Sequence, residues 1–176
     1  MSEPRQRVQR GLAVVLLATC AGLATTVQAL PEDALQPIEM DWNESDIDLS
    51  SGLMILRGSD MEPASIRQGS MQITGAEIRI ERDGEVITNV TATGNPARFQ
   101  QQLTIGQEPL KASGLTMVFD NASQVLTIDE KAELLQAGIQ TNGHHFEYSM
   151  TTQRLRAIRD PDGEQVRMVL PPPAQQ

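Results

Sequence analysis

The chain reads as an all-β protein, a stack of antiparallel hairpins around one continuous apolar interior. Two observations carry this reading. Gly75, Gly114 and Gly143 each open the same pattern, with apolar residues at the third and fifth positions after the glycine: Ile78 and Ile80, Met117 and Phe119, Phe146 and Tyr148. A turn-forming stretch follows in each case (Glu81 to Gly84, Asp120 to Ser123, Ser149 to Thr152), and an apolar residue returns at the twelfth position as Ile87, Leu126 or Leu155. Alternation at period two marks a strand with one buried face. Strand, turn and strand in repetition mark stacked hairpins.

The elements follow in order. Residues 1–29 have a secretory-leader layout: Arg5, Arg7 and Arg10, an apolar run from Gly11 to Ala24, and small residues at Val27-Gln28-Ala29. The apolar run is short for a membrane span, so a mature chain starting near Leu30 is expected. A lipoprotein reading of Leu17 to Cys20 fits less well, because Thr19 is bulky before a lipidated cysteine. Pro37 to Trp42 alternates strictly and predicts the first strand. Ile47 and Leu49 alternate next, Ser50-Ser51-Gly52 turns the chain, and Leu53 to Leu56 forms an apolar run. Ile66, Met71 and Ile73 lead into the first repeat. Thr93 to Phe99 is expected to be a turn followed by a strand, and residues 100–107 a hairpin with its flanks. Residues 129–136 contain good helix formers, but Ala132-Glu133-Leu134 occupies the place of Ala97-Arg98-Phe99 in the preceding repeat, which favours strand. Val166 to Leu170 is the last predicted strand, and the proline-rich 171–176 a frayed tail. Nothing divides residues 30–170, which count as one domain.

Composition narrows the function. Cys20 is the only cysteine and falls in the leader, so the exported protein has no disulfide and depends on sheet pairing and apolar burial. Loss of the leader removes Arg5, Arg7, Arg10 and Glu3 and moves the net charge from −9 to −11. Such a chain is a poor partner for nucleic acid. No phosphate loop or nucleophile elbow is present, and no cofactor is implied. His144 and His145 are adjacent and point to opposite faces of a strand. By parity His144 shares the face of Phe146 and His145 faces out, which makes a shared metal ion unsuitable. Glu39, Asp41, Asp48, Glu77, Glu81 and Glu147 occupy outward positions and read as a solvated face. The inward set is Ile38, Met40, Leu56, Ile73, Ile78, Ile80, Phe99, Met117, Phe119, Leu126, Ile128 and Phe146. It is a sealed core or a path for a greasy ligand. Its methionines suit varied apolar surfaces.

Four segments in order, Gln36 to Met40, Gly94 to Phe99, Lys111 to Met117 and Asp129 to Leu134, resemble the OstA-like family of periplasmic lipopolysaccharide-transport proteins typified by LptA. The resemblance spans residues 36–170. It implies an open, twisted β-jellyroll that stacks head to tail, located in the periplasm. Acyl chains of lipopolysaccharide would lie in the apolar interior, and the protein would catalyse no reaction. The partners implied are lipopolysaccharide, further copies of the chain, an inner-membrane LptC-like protein and an outer-membrane LptD-like protein. By position, Ile38 and Met40 correspond to first-strand lipid contacts, Phe99 and Phe119 to interior aromatics, and Arg82 to a basic residue at the groove edge. The neighbouring loop carries Glu85 and no lysine, a departure from a basic rim. The alternative is an LptC-like or other periplasmic lipid-binding chaperone of the same fold. LptC keeps a membrane anchor, whereas Val27-Gln28-Ala29 here favours cleavage.

Overall fold

Each long strand of the molecule bends once, and the bends line up into a crease that folds one antiparallel sheet onto itself. The computed structural model describes residues 32–59, 61–160, 163 and 165–172. The predicted leader therefore lies outside the described residues, as do the last four residues of the predicted tail. Twelve strands are present among them: β1 Ile38–Asp41, β2 Glu44–Asp48, β3 Leu53–Arg57, β4 Ala64–Gln68, β5 Met71–Gly75, β6 Glu77–Asp83, β7 Val86–Gln101, β8 Leu110–Asp120, β9 Val125–Gln136, β10 Ile139–Ser149, β11 Arg154–Ile158 and β12 Arg167–Val169.

The pairing defines two halves. In the first, β1 pairs β4, β4 pairs β5, and β5 pairs the end of β7 through Ile73↔Phe99. In the second, β2 pairs β3, β3 pairs β6, and β6 pairs the start of β7 through Ile80↔Val90. Strands β7, β8, β9 and β10 run through both halves. β12 then closes the series against β10 in the first half and β11 in the second.

The register shifts mark the crease. They fall between Thr93 and Ala97, between Ser113 and Thr116, and between Gly143 and His145. A bulge leaves residues unpaired and bends its strand. The glycines of the repeat sit here. Gly75 ends β5 just before β6, and a Cβ on it would stand 2.7 Å from the Thr93 carbonyl oxygen of β7. In β9 the crease is crossed without glycine: Glu130 and Lys131 take positive φ of 60° and 53°, which costs about 1–2 kcal/mol for each side-chain-bearing residue.

Most predicted elements are present, including strand rather than helix at 129–136 and a last strand inside Val166 to Leu170. Three expectations change. Thr93 to Pro96 is not a turn: β7 continues through it as a bulge with a cis Asn95–Pro96 bond. The first repeat's turn is not Glu81 to Gly84, since β6 runs to Asp83 and pairs with Val86 across Gly84-Glu85. His144 does not share the enclosed face of Phe146, because the Gly143/His145 shift breaks the parity. It lies half-buried beside Lys131, Glu133 and Arg167.

A candidate lipid site between the two half-sheets

The fold brings the inward residues of the two halves face to face. Leu56, Ile78, Ile80, Met117, Phe119, Leu126, Ile128 and Phe146 come from the second half, and Ile73 and Phe99 from the first. All ten belong to one buried cluster. Phe99 and Phe119 meet across the fold, with ring centroids 5.9 Å apart and planes tilted by 36°. Ile78, Ile80, Ile128 and Phe146 have no exposed surface at all, and even Phe119 is only 5 % exposed. Along its middle the interior is closed to water.

The first strand differs. Met40 is half-buried and packs on the cluster, but Ile38 on the same side is 43 % exposed. Ile38 is thus not enclosed, because β1 pairs β4 alone and has no neighbour beyond it. The inward set also left residues out. Ile66, Val90, Leu110, Leu134, Tyr148 and Met150 join the enclosed cluster. Parity with Phe146 was a sufficient signal for Tyr148. Leu134 pairs with Ala112, and Ala97 and Ala132 are buried in the same cluster, which weakens the hydrophobic pattern of the first half.

The side opposite the crease is the mouth of the fold. Gln136 Nε2, at the tip of β9 in the first half, donates to Gln153 Oε1 in the turn of the second half at 3.1 Å. Leu103 and Met150 are buried in connections on this side. Arg82, expected at the groove edge, is half-buried at a further register shift. Its Nη2 donates to the Gly84 carbonyl at 3.0 Å, within its own hairpin.

The ion pairs are made by partly or well exposed side chains. Arg57 bonds Glu77 at 2.9 Å, Arg79 bonds Glu81 at 3.2 Å, and Arg156 bonds Glu147 at 3.1 Å. His145 Nδ1 lies 2.5 Å from Asp129 Oδ1, and Nε2 lies 3.6 Å from Glu147. The Asp129 hydrogen bond raises the His145 pKa above its ordinary value, against an opposing effect of burial. Folding therefore favours the protonated ring. Its contribution is fully present below the unfolded-state value of about 6.5 and is lost as pH rises through the folded-state value. The stability difference between this chain and His145→Gln should accordingly shrink from pH 6 to pH 8.5 in urea melts. A difference that is flat across that interval would contradict the pairing. Among the described residues no group of three His, Cys, Asp or Glu side chains is placed to hold a metal ion, and no helix is long and apolar enough to cross a membrane.

An apolar interior walled by two halves of one open sheet defines an open β-jellyroll. Residues 63–154, from the approach to β4 to the start of β11, match the family model described as LptA/(LptD N-terminal domain) LPS transport protein. The chain belongs to that family. It is 29 % identical over 151 residues to the lipopolysaccharide export system protein LptH of Pseudomonas aeruginosa, covering 84 % of this chain and 83 % of that one. It is 26 % identical over 166 residues to LptA of Haemophilus influenzae, covering 93 % and 94 %. The crystal structure of P. aeruginosa LptH, the LptA-homologous periplasmic component of the lipopolysaccharide transport device, superposes with a TM-score of 0.72 at 25 % identity. That match covers 81 % of this chain and all of the other. The open jellyroll, the non-catalytic transport class and the periplasmic location expected from the sequence agree with these relatives.

Proposed function

We propose that this chain carries lipopolysaccharide across the periplasm as one unit of a head-to-tail bridge, with acyl chains in the interior between its half-sheets and sugars in solvent. The carrying observation is where apolar surface stays uncovered. Leu35, Leu49, Met61, Val86 and Ile105 are exposed at turns and connections, and the other exposed large apolar side chains lie at the two ends of the sheet: Ile38, Trp42 and Ile47 at one, and Ile158, Met168, Val169 and Leu170 at the other, each between 39 % and 64 % exposed. The strands there, β1 and β2 at one end and β11 and β12 at the other, each pair on one side only. An unpaired edge is a template for another strand, and a head-to-tail contact of unlike ends continues without closing. An LptC-like protein would meet one end and an LptD-like protein the other. A family model shared by LptA and an LptD domain supports stacking of like folds.

The mechanism follows from burial. Each methylene removed from water gains about 0.8 kcal/mol, so a many-chained lipid in an isolated pocket would leave slowly. Interiors joined end to end let it advance without re-entering water. Work is supplied from outside the chain, at the inner membrane.

One photocrosslinking experiment tests both parts. A photoreactive aromatic residue replaces Phe119 inside, Met168 at the end strand, or Arg79 on the outer face. Lipopolysaccharide adducts are expected from position 119 and multimeric protein adducts from 168. Lipid labelling from 79 as strong as from 119 would sink the interior path. Protein adducts no stronger from 168 than from 79 would sink the bridge.

A further inference from the structure

The mouth of the fold is not uniform along its length. Of the five apolar side chains exposed at turns and connections, Met61 lies on the crease side, where the chain passes from β3 to β4. The other four rim the mouth. Leu35 precedes β1 and Ile105 lies between β7 and β8, both on the first-half lip; Leu49 lies between β2 and β3 and Val86 starts β7, both on the second-half lip. They are between 60 % and 83 % exposed. The turns of the later strands, 121–124, 137–138 and 150–153, expose no large apolar side chain among the described residues. The inward residues divide in the same way. Met54, Met71 and Ile87, at the mouth-side ends of β3, β5 and β7, are only half-buried against the cluster. In the later stretch Leu126, Tyr148 and Met150 are at most 1 % exposed, and there Gln136 bonds Gln153 from lip to lip.

The exposed side chains stand on turns fixed by hydrogen bonds. Asp48 accepts from the Ser50 N–H at 2.9 Å and from the Ser51 hydroxyl at 2.7 Å, which holds the turn carrying Leu49. Gln102 Nε2 donates to the Thr104 carbonyl at 2.6 Å beside Ile105. The Ser70 N–H donates to Asp33 Oδ1 at 3.0 Å, and the Gln102 N–H donates to Ser70 Oγ at 3.1 Å. The segments carrying Leu35 and Ile105 are thereby tied to one turn. Single exposed apolar residues are ordinary. Four on fixed turns, confined to one stretch and leading onto half-buried inward residues, make an apolar way from solvent to the interior. Charge narrows the occupant. Glu32, Asp33, Asp48, Asp83, Glu85 and Glu108 outnumber Arg82 and Lys111 on these lips. An anionic bilayer surface would be repelled. A single hydrocarbon chain is indifferent to that charge, and the thioethers of Met54 and Met71 adapt to its shape.

We propose that the stretch of mouth bounded by Leu35 and Ile105 on one lip and by Leu49 and Val86 on the other is a side port, which admits an acyl chain of an amphiphile to the interior without passage through the ends of the sheet. The chain enters over Met54, Met71 and Ile87, while the later stretch stays clasped by Gln136 and Gln153. The port rests on the reading of the interior as the lipid path and adds a second route into it: a molecule whose two ends are covered by neighbours still loads from the side. Apolar contacts at the lips are made during entry, so they govern the rate of uptake. Once the chain is enclosed, its affinity depends on the interior.

The test follows uptake of a neutral monoacylglycerol with a pyrene-tipped chain, kept dilute enough to stay monomeric, by the full mature chain in stopped flow. Leu49→Glu combined with Val86→Glu is expected to slow uptake about tenfold. Ile105→Glu should slow it from the opposite lip. Melting temperatures should hold, because these side chains are exposed. Leu49→Gln and Ile105→Gln, which add no charge, carry the same expectation should the glutamates lower the melting temperature. Ile38→Glu and Met168→Glu, at the ends of the sheet, should leave the rate unaltered. Lip variants as fast as the unaltered chain overturn the port. Slowing by the end variants alone also overturns it and leaves the lipid path standing, with entry at the ends. No uptake by the unaltered chain, with position 119 still labelled by lipopolysaccharide, overturns the port alone. If position 119 is silent as well, the lipid path falls with it.

Discussion

Phe146→Ala should destabilise the domain by about 3–5 kcal/mol, the usual cost of removing a buried aromatic ring. The reason is geometric. Phe146 has no exposed surface, lies between Ile128 of β9 and Ala157 of β11, and stands on the second-half side of the crease. Its loss opens a cavity where both walls meet, and rigid strands on either side limit collapse. A typical domain has about 5–15 kcal/mol in total, so the variant would sit near the limit of folding. Urea denaturation measures this, with Ile38→Ala as comparison. Ile38 is 43 % exposed on an end strand, so its truncation should stay within about 0.5 kcal/mol. Similar costs at the two positions would refute a packed interior with open ends.

Gly75→Val should cost at least the roughly 1–3 kcal/mol typical of overpacking, by a different route. At Gly75 a Cβ would meet the carbonyl oxygens of Thr93 at 2.7 Å and Glu77 at 3.1 Å. These are backbone atoms and cannot rotate aside. The valine must push β7 away where the sheet bends, and the interior aromatics move with it. Thermal melting and near-ultraviolet circular dichroism report both effects. A variant with an unaltered melting temperature would show that the crease does not depend on close approach at this glycine.

The sequence was most informative where side chains alternate strongly. Ile78 and Ile80, Met117 and Phe119, and Leu126 and Ile128 announced strands with one buried face, and all six are enclosed. The glycines were visible too, but their meaning was not. Gly114 and Gly143 lie inside β8 and β10 and do not open them. What they mark is a fold line, which shows only once neighbouring strands are paired. In β9 the same line passes through Glu130-Lys131, residues that rarely adopt the left-handed conformation; local pattern could not reveal it. Parity failed for His144 for a related reason, since one bulged residue shifts all that follow. The first half was harder to read throughout. Its walls use Ala97, Ala112 and Ala132, and small residues leave little contrast between inside and outside. Tyr148 was legible as an inward position by its parity with Phe146, and it is fully enclosed.

The alignment of bulges along the crease has a mechanical consequence. Ladder hydrogen bonds are already interrupted there, while β7, β8, β9 and β10 stay paired on either side. A change in the angle between the halves leaves the strand pairing intact. Its cost falls on side-chain contacts that cross the gap, the Phe99–Phe119 ring pair and the Gln136–Gln153 bond among them. The molecule is built like a bound book: parting the covers would leave the spine whole, and under the proposed function each apolar contact given up between the covers would be replaced by one to an acyl chain.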